Sequence, residues 1–250
     1  MTPDSLPKPR ILAIDTSGRQ GSIALAEGTT LLALRHLPEN NRHALELMPA
    51  IAELTREYRW LPNDLDHLYL SIGPGSFTGL RIATAIARSL AHASAGKLQL
   101  VAVPSLDVIA HNAPPEFSYV LPILDAKRGQ VFSARYHRPP PPAAGILERT
   151  TEAALVHPAA FLAETLALAA GAPVAVLGEG VDYHRATLSG ATELDRTLWA
   201  GRADIVHRLG YTLAQQQCFT KPHALLPTYI RLPEAEEVWQ KKNAPATTTF

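Results

Sequence analysis

Two strand-like segments end alike, in Ile14-Asp15 and in Leu124-Asp125, and they lie 110 positions apart. The same shift places Gln20 on Gln130. Around each aspartate the hydrophobic pattern runs through one order of elements: strand, strand, strand, helix, strand, helix. In the first half the strands fall at 10–14, 21–25 and 30–35, separated by turn residues such as Gly18 and Gly28. An amphipathic helix over 43–58, a strand at 67–71, a helix over 76–95 and a strand at 99–103 come next. Gly96 stands where the second helix should end, and Pro104 with Ser105 opens a third, running toward Asn112. The second half begins near Tyr119, with strands at 119–124, 130–136 and 146–151, a helix over 158–170 and a strand at 174–177. This second copy is the shorter.

Three antiparallel strands followed by alternating helices and strands imply a mixed sheet covered on both faces, because the later, parallel strands need helical crossovers. Two such copies give an α/β chain of two lobes facing each other across a cleft. A chain of 250 residues with 46% apolar content can supply a core to each. The expected division is 1–104 for the first lobe and 105–231 for the second, its last helix able to pack back on the first. From 240 the chain turns polar and loses periodicity, so a disordered tail is expected over 232–250. The four-proline run at 139–142 cannot donate ladder hydrogen bonds and reads as an extended hairpin loop.

Lys plus Arg and Asp plus Glu balance at 23 each, so nothing in the global charge favours unaided binding to a polyphosphate backbone. A nucleic-acid role would be shared with a partner. The first ten residues lack the apolar centre of a signal peptide, and no later stretch is apolar enough to span a bilayer. A cytoplasmic location is expected. The single cysteine, Cys218, fits a reducing compartment and reads as a small buried hydrophobe.

Two segments could carry chemistry. Asp15-Thr16-Ser17-Gly18 places a carboxylate and hydroxyls in a tight turn, which suits a phosphate or its metal; Asp125 with Gly129 repeats it. The same residues equally suit a hairpin turn closed by an Asx-type hydrogen bond. The second segment is Gly73-Pro74-Gly75-Ser76-Phe77-Thr78-Gly79, between a strand and a helix. Its glycines permit close backbone approach and Ser76 is placed to cap the helix, so Gly73, Gly75, Ser76 and Thr78 are candidates for anion binding. No Gly-Lys-Ser/Thr comes after it, so this is no Walker loop, and a turn that merely aims the helix explains it as well. The ten histidines show no His-x-x-His or His-x-x-x-His pair, and no Gly-x-Ser-x-Gly elbow is present. No metal ligand and no catalytic residue is assigned. His43 reads as a core or capping residue.

The two long helices carry a further signal. The first has a broad apolar stripe that includes Leu47, Met48, Ile51 and Leu54, with Pro49 expected to kink it. In the second, Gly79, Ala83, Ala87 and Ala91 are small enough for another helix to approach closely. A partner surface and simple sandwiching within one lobe remain equally open.

Six runs carry a resemblance: 11–17, 43–49, 73–82 above all, 103–106, 125–129 and 227–231. In this order, and over most of the chain, they resemble the TsaB (YeaZ) family of tRNA threonylcarbamoyladenosine biosynthesis. Ala83, where the family often has a second loop glycine, and the four-proline run depart from its pattern. The resemblance implies an actin-like, ribonuclease H-like fold of duplicated mixed sheets with flanking helices. It also implies a non-catalytic scaffold and activator of the paralogue TsaD, which transfers threonylcarbamoyl to N6 of the tRNA adenosine next to the anticodon.

Pairing would use the two N-terminal-lobe helices, with Leu47, Ile51, Leu54, Leu80, Thr84 and Arg88 as interface positions. The ATPase TsaE would join, tRNA would be met through the complex, and the free chain could form a homodimer. No cofactor of its own is expected, although ATP or ADP could enter the assembled complex; Asp15 to Ser17 with Asp125 would be a degenerate nucleotide site. The paralogue's metal-holding His-x-x-x-His aligns with Ser105 and Ile109, an unsuitable ligand pair. Two other classes stay open: an independent actin-like, ATP-dependent small-molecule kinase using Asp15 for metal and the Gly73 loop for phosphate, and a metallopeptidase, against which the missing histidines argue.

Overall fold

The computed structural model describes residues 8–38, 43–139 and 147–231, with the side chains of the first helix described from Leu45 onward. The first half folds as β1 (Arg10–Asp15), β2 (Ser22–Glu27), β3 (Thr30–His36), α1 (His43–Glu57), β4 (His67–Ser71), α2 (Phe77–Ala93) and β5 (Gln99–Val103). These strands form one mixed sheet in the order β3-β2-β1-β4-β5. The hairpins β1-β2 and β2-β3 are antiparallel; β4 and β5, reached through helical crossovers, are parallel to β1 and to each other.

Alternation along β1 explains why both faces are covered. Leu12 and Ile14 join Leu47, Ile51, Ala83 and Ala87 of α1 and α2 in one core, whereas Ile11 and Ala13 point into another. That other face is closed by α6 (Ala203–Gln215), a helix near the end of the described chain. Ala203, Val206, Gly210 and Ala214 form its buried stripe. The sequence reading gave this last helix no bounds. Here Gly210 lets the helix backbone lie on the ring of buried Tyr69: a Cβ at 210 would fall 2.6 Å from the ring.

After α3 (Ser105–Ala110) the order repeats, but in broken strands: β6 (Tyr119–Pro122), β7 (Leu124–Asp125), β8 (Val131–Ser133), β9 (Tyr136–His137), β10 (Glu148–Arg149) and β11 (Ala154–Val156). Then come α4 (Pro158–Ala169), β12 (Val174–Leu177), α5 (Val181–His184) and β13 (Thr192–Glu193). The second sheet runs β10-β9-β6-β12-β13, the same topological order as the first, and a three-stranded sheet β11-β8-β7 splits from it. The duplication read from the two aspartates is therefore present in the fold. The expected unbroken strand over 130–136 is corrected: Arg135 leaves the ladder, giving its N–H to Thr151 Oγ1 and its Nε–H to Thr165 Oγ1. Of the expected strand over 146–151, residue 146 lies outside the described residues; within the rest the strand is Glu148–Arg149, paired to β9, and Ala154–Val156 pairs to β8.

Of the four-proline run only Pro139 lies within the described residues, and the segment 232–250 lies outside them. α1 continues through Pro49. Cys218, expected to be buried, is exposed. Among the described residues no helix is long and apolar enough to cross a membrane. Gly210→Ala should destabilise the protein by about 1–3 kcal/mol, as overpacking against a ring does. Urea unfolding measures it: a lowered midpoint with an unchanged slope is the expected result.

Candidate functional site

The end of β1 turns on itself. Asp15 accepts the Ser17 N–H at 3.0 Å on Oδ1, and the Ser17 hydroxyl at 3.0 and 3.2 Å on its two oxygens. This is the Asx-type closure, and Asp15, Thr16 and Ser17 are all buried. Gly201, just before α6, seals the other side of the carboxylate, since a Cβ there would sit 2.5 Å from Oδ2. The Thr16 hydroxyl donates to Gly79 O at 2.9 Å.

The glycine loop lies directly on this turn. Ser76 N–H donates to Ser17 O at 2.7 Å, and Ser76 Oγ caps α2 by accepting Gly79 N–H at 3.2 Å. A Cβ on Gly75, whose φ is +155°, would lie 2.3 Å from Ser17 O, and one on Gly79 would lie 2.1 Å from Thr16 O. Gly73 N–H donates to the buried Ser105 Oγ at 2.8 Å, while Thr228 N–H closes on Ile72 O at 2.7 Å. Tyr229 then packs on Phe77 and takes a hydrogen bond from Arg81 Nε at 3.1 Å. The glycines are thus accounted for by backbone packed on backbone. The candidates Asp15, Thr16 and Gly73 lie beneath the surface, with polar groups engaged inside the chain.

The second turn is more open. Lys127, Arg128 and Gly129 all have φ between 55° and 73°, which throws the tip outward. Asp125 Oδ1 accepts Lys127 N–H at 3.1 Å and faces His184 Nε2 at 3.3 Å; Oδ2 pairs with Lys127 Nζ at 3.0 Å. Burial pushes its acidity the other way, but the combined hydrogen bonds from Lys127 and His184 and the lysine charge hold Asp125 below the usual carboxylate range. Arg231 clamps the loop through Ala126 O and, at 2.8 Å, Gln130 Oε1.

Between the turns lies a cavity of about 270 Å³ that brings together Ser17, Gly75, Ser76 and Asp125 among the expected residues. Thr78 and Gly129 are exposed and do not line it. Sequence reasoning missed the contacts that cross it. Arg19 N–H donates to Glu179 Oε1 at 2.8 Å and Arg19 NH2 to the Tyr183 hydroxyl at 2.7 Å. The overlooked signal was Gly178-Glu179-Gly180 after β12: Cβ atoms on these glycines would lie 2.5 Å from Ile123 O and 2.7 Å from Asp125 N. They hold the second turn as Gly75 and Gly79 hold the first.

As a phosphate or metal site this arrangement fits poorly. The loop is packed onto its own turn, the cavity's cations Arg19 and Lys127 already pair with Glu179 and Asp125, and Asp15 is walled off. Among the described residues no three His, Cys, Asp or Glu side chains converge for a metal.

The interface candidates divide. Leu47, Ile51, Leu54, Leu80 and Thr84 are buried within the chain, so they are not surface positions here; only Arg88 is exposed. Leu47, Ile51 and Leu54 point inward because α1 turns its apolar stripe to the core it shares with α2 and the first sheet. Among the described side chains, the large exposed hydrophobics on the same helices are Leu45, Met48 and Phe77. The side chain of His43 lies outside the described residues.

Gly75→Ala should cost about 1–3 kcal/mol, combining a strained φ with a clash, and differential scanning calorimetry reads it as a lowered midpoint. Asp125, depressed below its ordinary value near 3.8, stabilises the fold fully above about pH 5, and this stabilisation is lost as pH falls through its folded-state value. Asp125→Asn should lower stability at pH 7 and flatten the loss between about pH 5 and pH 3, as urea titrations at stepped pH would show.

Comparison with known proteins agrees with the sequence motifs. A family model described as TsaD, tRNA N6-adenosine threonylcarbamoyltransferase, matches residues 37–239. The Bacillus subtilis (strain 168) protein described as "tRNA threonylcarbamoyladenosine biosynthesis protein TsaB" is 32% identical over 236 residues, covering 92% of this chain and 97% of that one. The Escherichia coli (strain K12) protein of the same description is 34% identical over 131 residues, 52% of this chain and 55% of its own. The solved structure of YeaZ from Pseudomonas aeruginosa superposes with a TM-score of 0.71 at 23% identity, covering 88% of this chain and 99% of that one. Another, described as an uncharacterized protein with similarity to peptidase YeaZ from Pseudomonas aeruginosa, gives 0.73 at 26% identity, covering 89% and 100%. Duplicated mixed sheets, the glycine loop on the β1 turn and identity that runs nearly end to end place this chain in the TsaB (YeaZ) family.

Proposed function

We propose that this chain acts in the formation of threonylcarbamoyladenosine on tRNA, as a non-catalytic scaffold and activator that binds TsaD, joined by TsaE. The observation that carries the reading is its 32% identity, over 92% of the chain, to a protein described by that biosynthesis. The local geometry supports a non-catalytic role. Ser105 and Ile109, where the paralogue is expected to hold metal, serve the fold instead: the Ser105 hydroxyl takes Gly73 N–H, and Ile109 is buried in the second-lobe core. Activation is then a population shift in the partner, which requires tighter binding to the partner's active conformation. Any ATP or ADP belongs to the assembled complex rather than to a cofactor site in this chain.

For the contact we keep α1 and α2 but move the side chains outward, to Leu45 and Met48, which are 70% and 43% exposed. Leu45→Asp with Met48→Asp should abolish the complex while leaving the thermal midpoint within a few degrees, because neither side chain belongs to the core. Ile51→Asp, by contrast, should unfold the lobe.

The decisive experiment mixes the purified chain with TsaD, follows complex formation by light scattering, and assays threonylcarbamoyl transfer to tRNA with each protein alone and together. Activity only in the mixture is expected. Absence of a complex, or transfer or ATP turnover by this chain alone, overturns the proposal in favour of an independent enzyme.

A further inference from the structure

A cavity of about 680 Å³, sharing no lining residue with the one between the turns, opens where α3, α6 and the segment after α3 meet. Its walls are of two kinds. Val103, Pro104, Leu209 and Leu213 supply apolar surface, and His111, Arg138 and Arg208 supply cationic or hydrogen-bonding groups. The volume lies in the range of small-molecule sites, and an apolar wall with a few convergent polar groups is their usual make-up.

The charges are the informative part. Arg138 NH1 donates to Pro114 O at 2.7 Å and to Phe117 O at 3.1 Å, and NH2 reaches Ala113 O at 3.4 Å. All three acceptors are neutral carbonyls. Arg208 NH2 reaches His111 O at 3.4 Å, again a carbonyl. Among the described residues neither guanidinium has a carboxylate within ion-pair distance, although surface arginines elsewhere do, as Arg35 and Arg185 show. Burial and the nearby Arg208 charge both weaken the hold of Arg138 on its proton, and Glu116 opposes them only from beyond ion-pair distance. Asp107 lines the cavity too, but its Oδ1 accepts the Tyr136 hydroxyl at 2.5 Å and faces Arg149 NH1 at 3.5 Å.

Carbonyl contacts fix the orientation of a guanidinium without neutralising it. Two such groups beside one cavity leave a positive field focused by low-dielectric walls. His111 Nδ1 lies 2.7 Å from Asp107 O, which assigns the proton to Nδ1 and leaves Nε2 as an acceptor. Burial holds the imidazole below its ordinary range, so the acceptor form prevails at neutral pH.

We propose that this cavity binds a small organic anion with an apolar body, its anionic group set between Arg138 and Arg208 and its apolar part against Leu209 and Leu213. The site is independent of the inter-lobe turns and of the exposed face of α1. It joins α6, which packs on the first sheet, to α3 and the 113–117 segment, which pack with the second. An occupant would therefore touch both lobes at once.

The test uses the full chain with two probes of one shape, 2-naphthoate and its neutral amide, followed by ligand-observed NMR and by the ring resonances of His111. The expected result is naphthoate binding that shifts His111, with the amide at least 10-fold weaker. Arg208→Gln, at an exposed side chain on α6, should weaken naphthoate about 10-fold, the size of one charged hydrogen bond, and leave the amide unchanged. Thr212→Trp should block both probes by filling the groove, with the fold verified by circular dichroism. No naphthoate binding at millimolar concentration, equal affinity for both probes, or binding indifferent to both variants would each overturn the proposal.

Discussion

The hydrogen bond from Ser76 N–H to Ser17 O fixes more of this molecule than its single bond suggests. It forms only because Gly75 and Gly79 carry no Cβ where the backbone of Thr16 and Ser17 passes. With that approach made, the first turn of α2 is anchored to the end of β1, and Ser76 caps the helix from the same position. Ala83 and Ala87 then fall over Leu12 and Ile14, and α1 packs beside them. The small residues on α2 fit this close approach: apart from Leu80, its buried face is made of Gly79, Ala83, Thr84, Ala87 and Ala91.

The second lobe uses the same device with a different result. Gly178 and Gly180 lie against Ile123 and Asp125 as the first loop lies against Thr16 and Ser17. Beyond Gly180, however, the chain makes only the four-residue α5, where the first lobe builds the seventeen-residue α2. A short helix covers less sheet, and the second sheet is correspondingly split, with Arg135 leaving the ladder to reach Thr165 and Phe161. Duplication preserved the turn and the order of strands. The length of the helix after the turn was not preserved.

Much of this was legible in the sequence, and the physical reasons are specific. The strands of the first lobe alternate or run continuously apolar because both their faces are covered, so β1, β2, β4 and β5 stood out to within a residue or two. The repeated aspartates marked the duplicated strand ends, but they could not show which atoms each carboxylate meets. Asp15 lies under Gly201, a residue 186 positions later that no local pattern connects to it. The bounds and contacts of helix α6 were hidden for a similar reason. Its partner face is Tyr69, Ile11 and Ala24, and only that contact explains a glycine in mid-helix. For Leu47, Leu54 and Leu80, the sequence showed a broad apolar stripe without saying whether the chain itself covers it; the fold does.

The balance between the two turns bears on the work the cleft can do. A lobe pair that opens and closes on a ligand needs contacts across the cleft that the ligand can replace at little cost. Here Glu179 joins the Arg19 N–H and side chain, and Tyr183 takes the Arg19 guanidinium while stacking near Lys127. Arg231, from the far end of the described chain, ties the second turn, and its neighbours Thr228 and Tyr229 strap the first loop and α2. One segment therefore holds both turns, and separating the lobes would break its contacts on one side or the other. Exposed ion pairs contribute little singly, but backbone and charge-assisted bonds in one connected set resist removal together. The first turn of α2 is held in place by the same set of contacts, through Phe77 and Arg81.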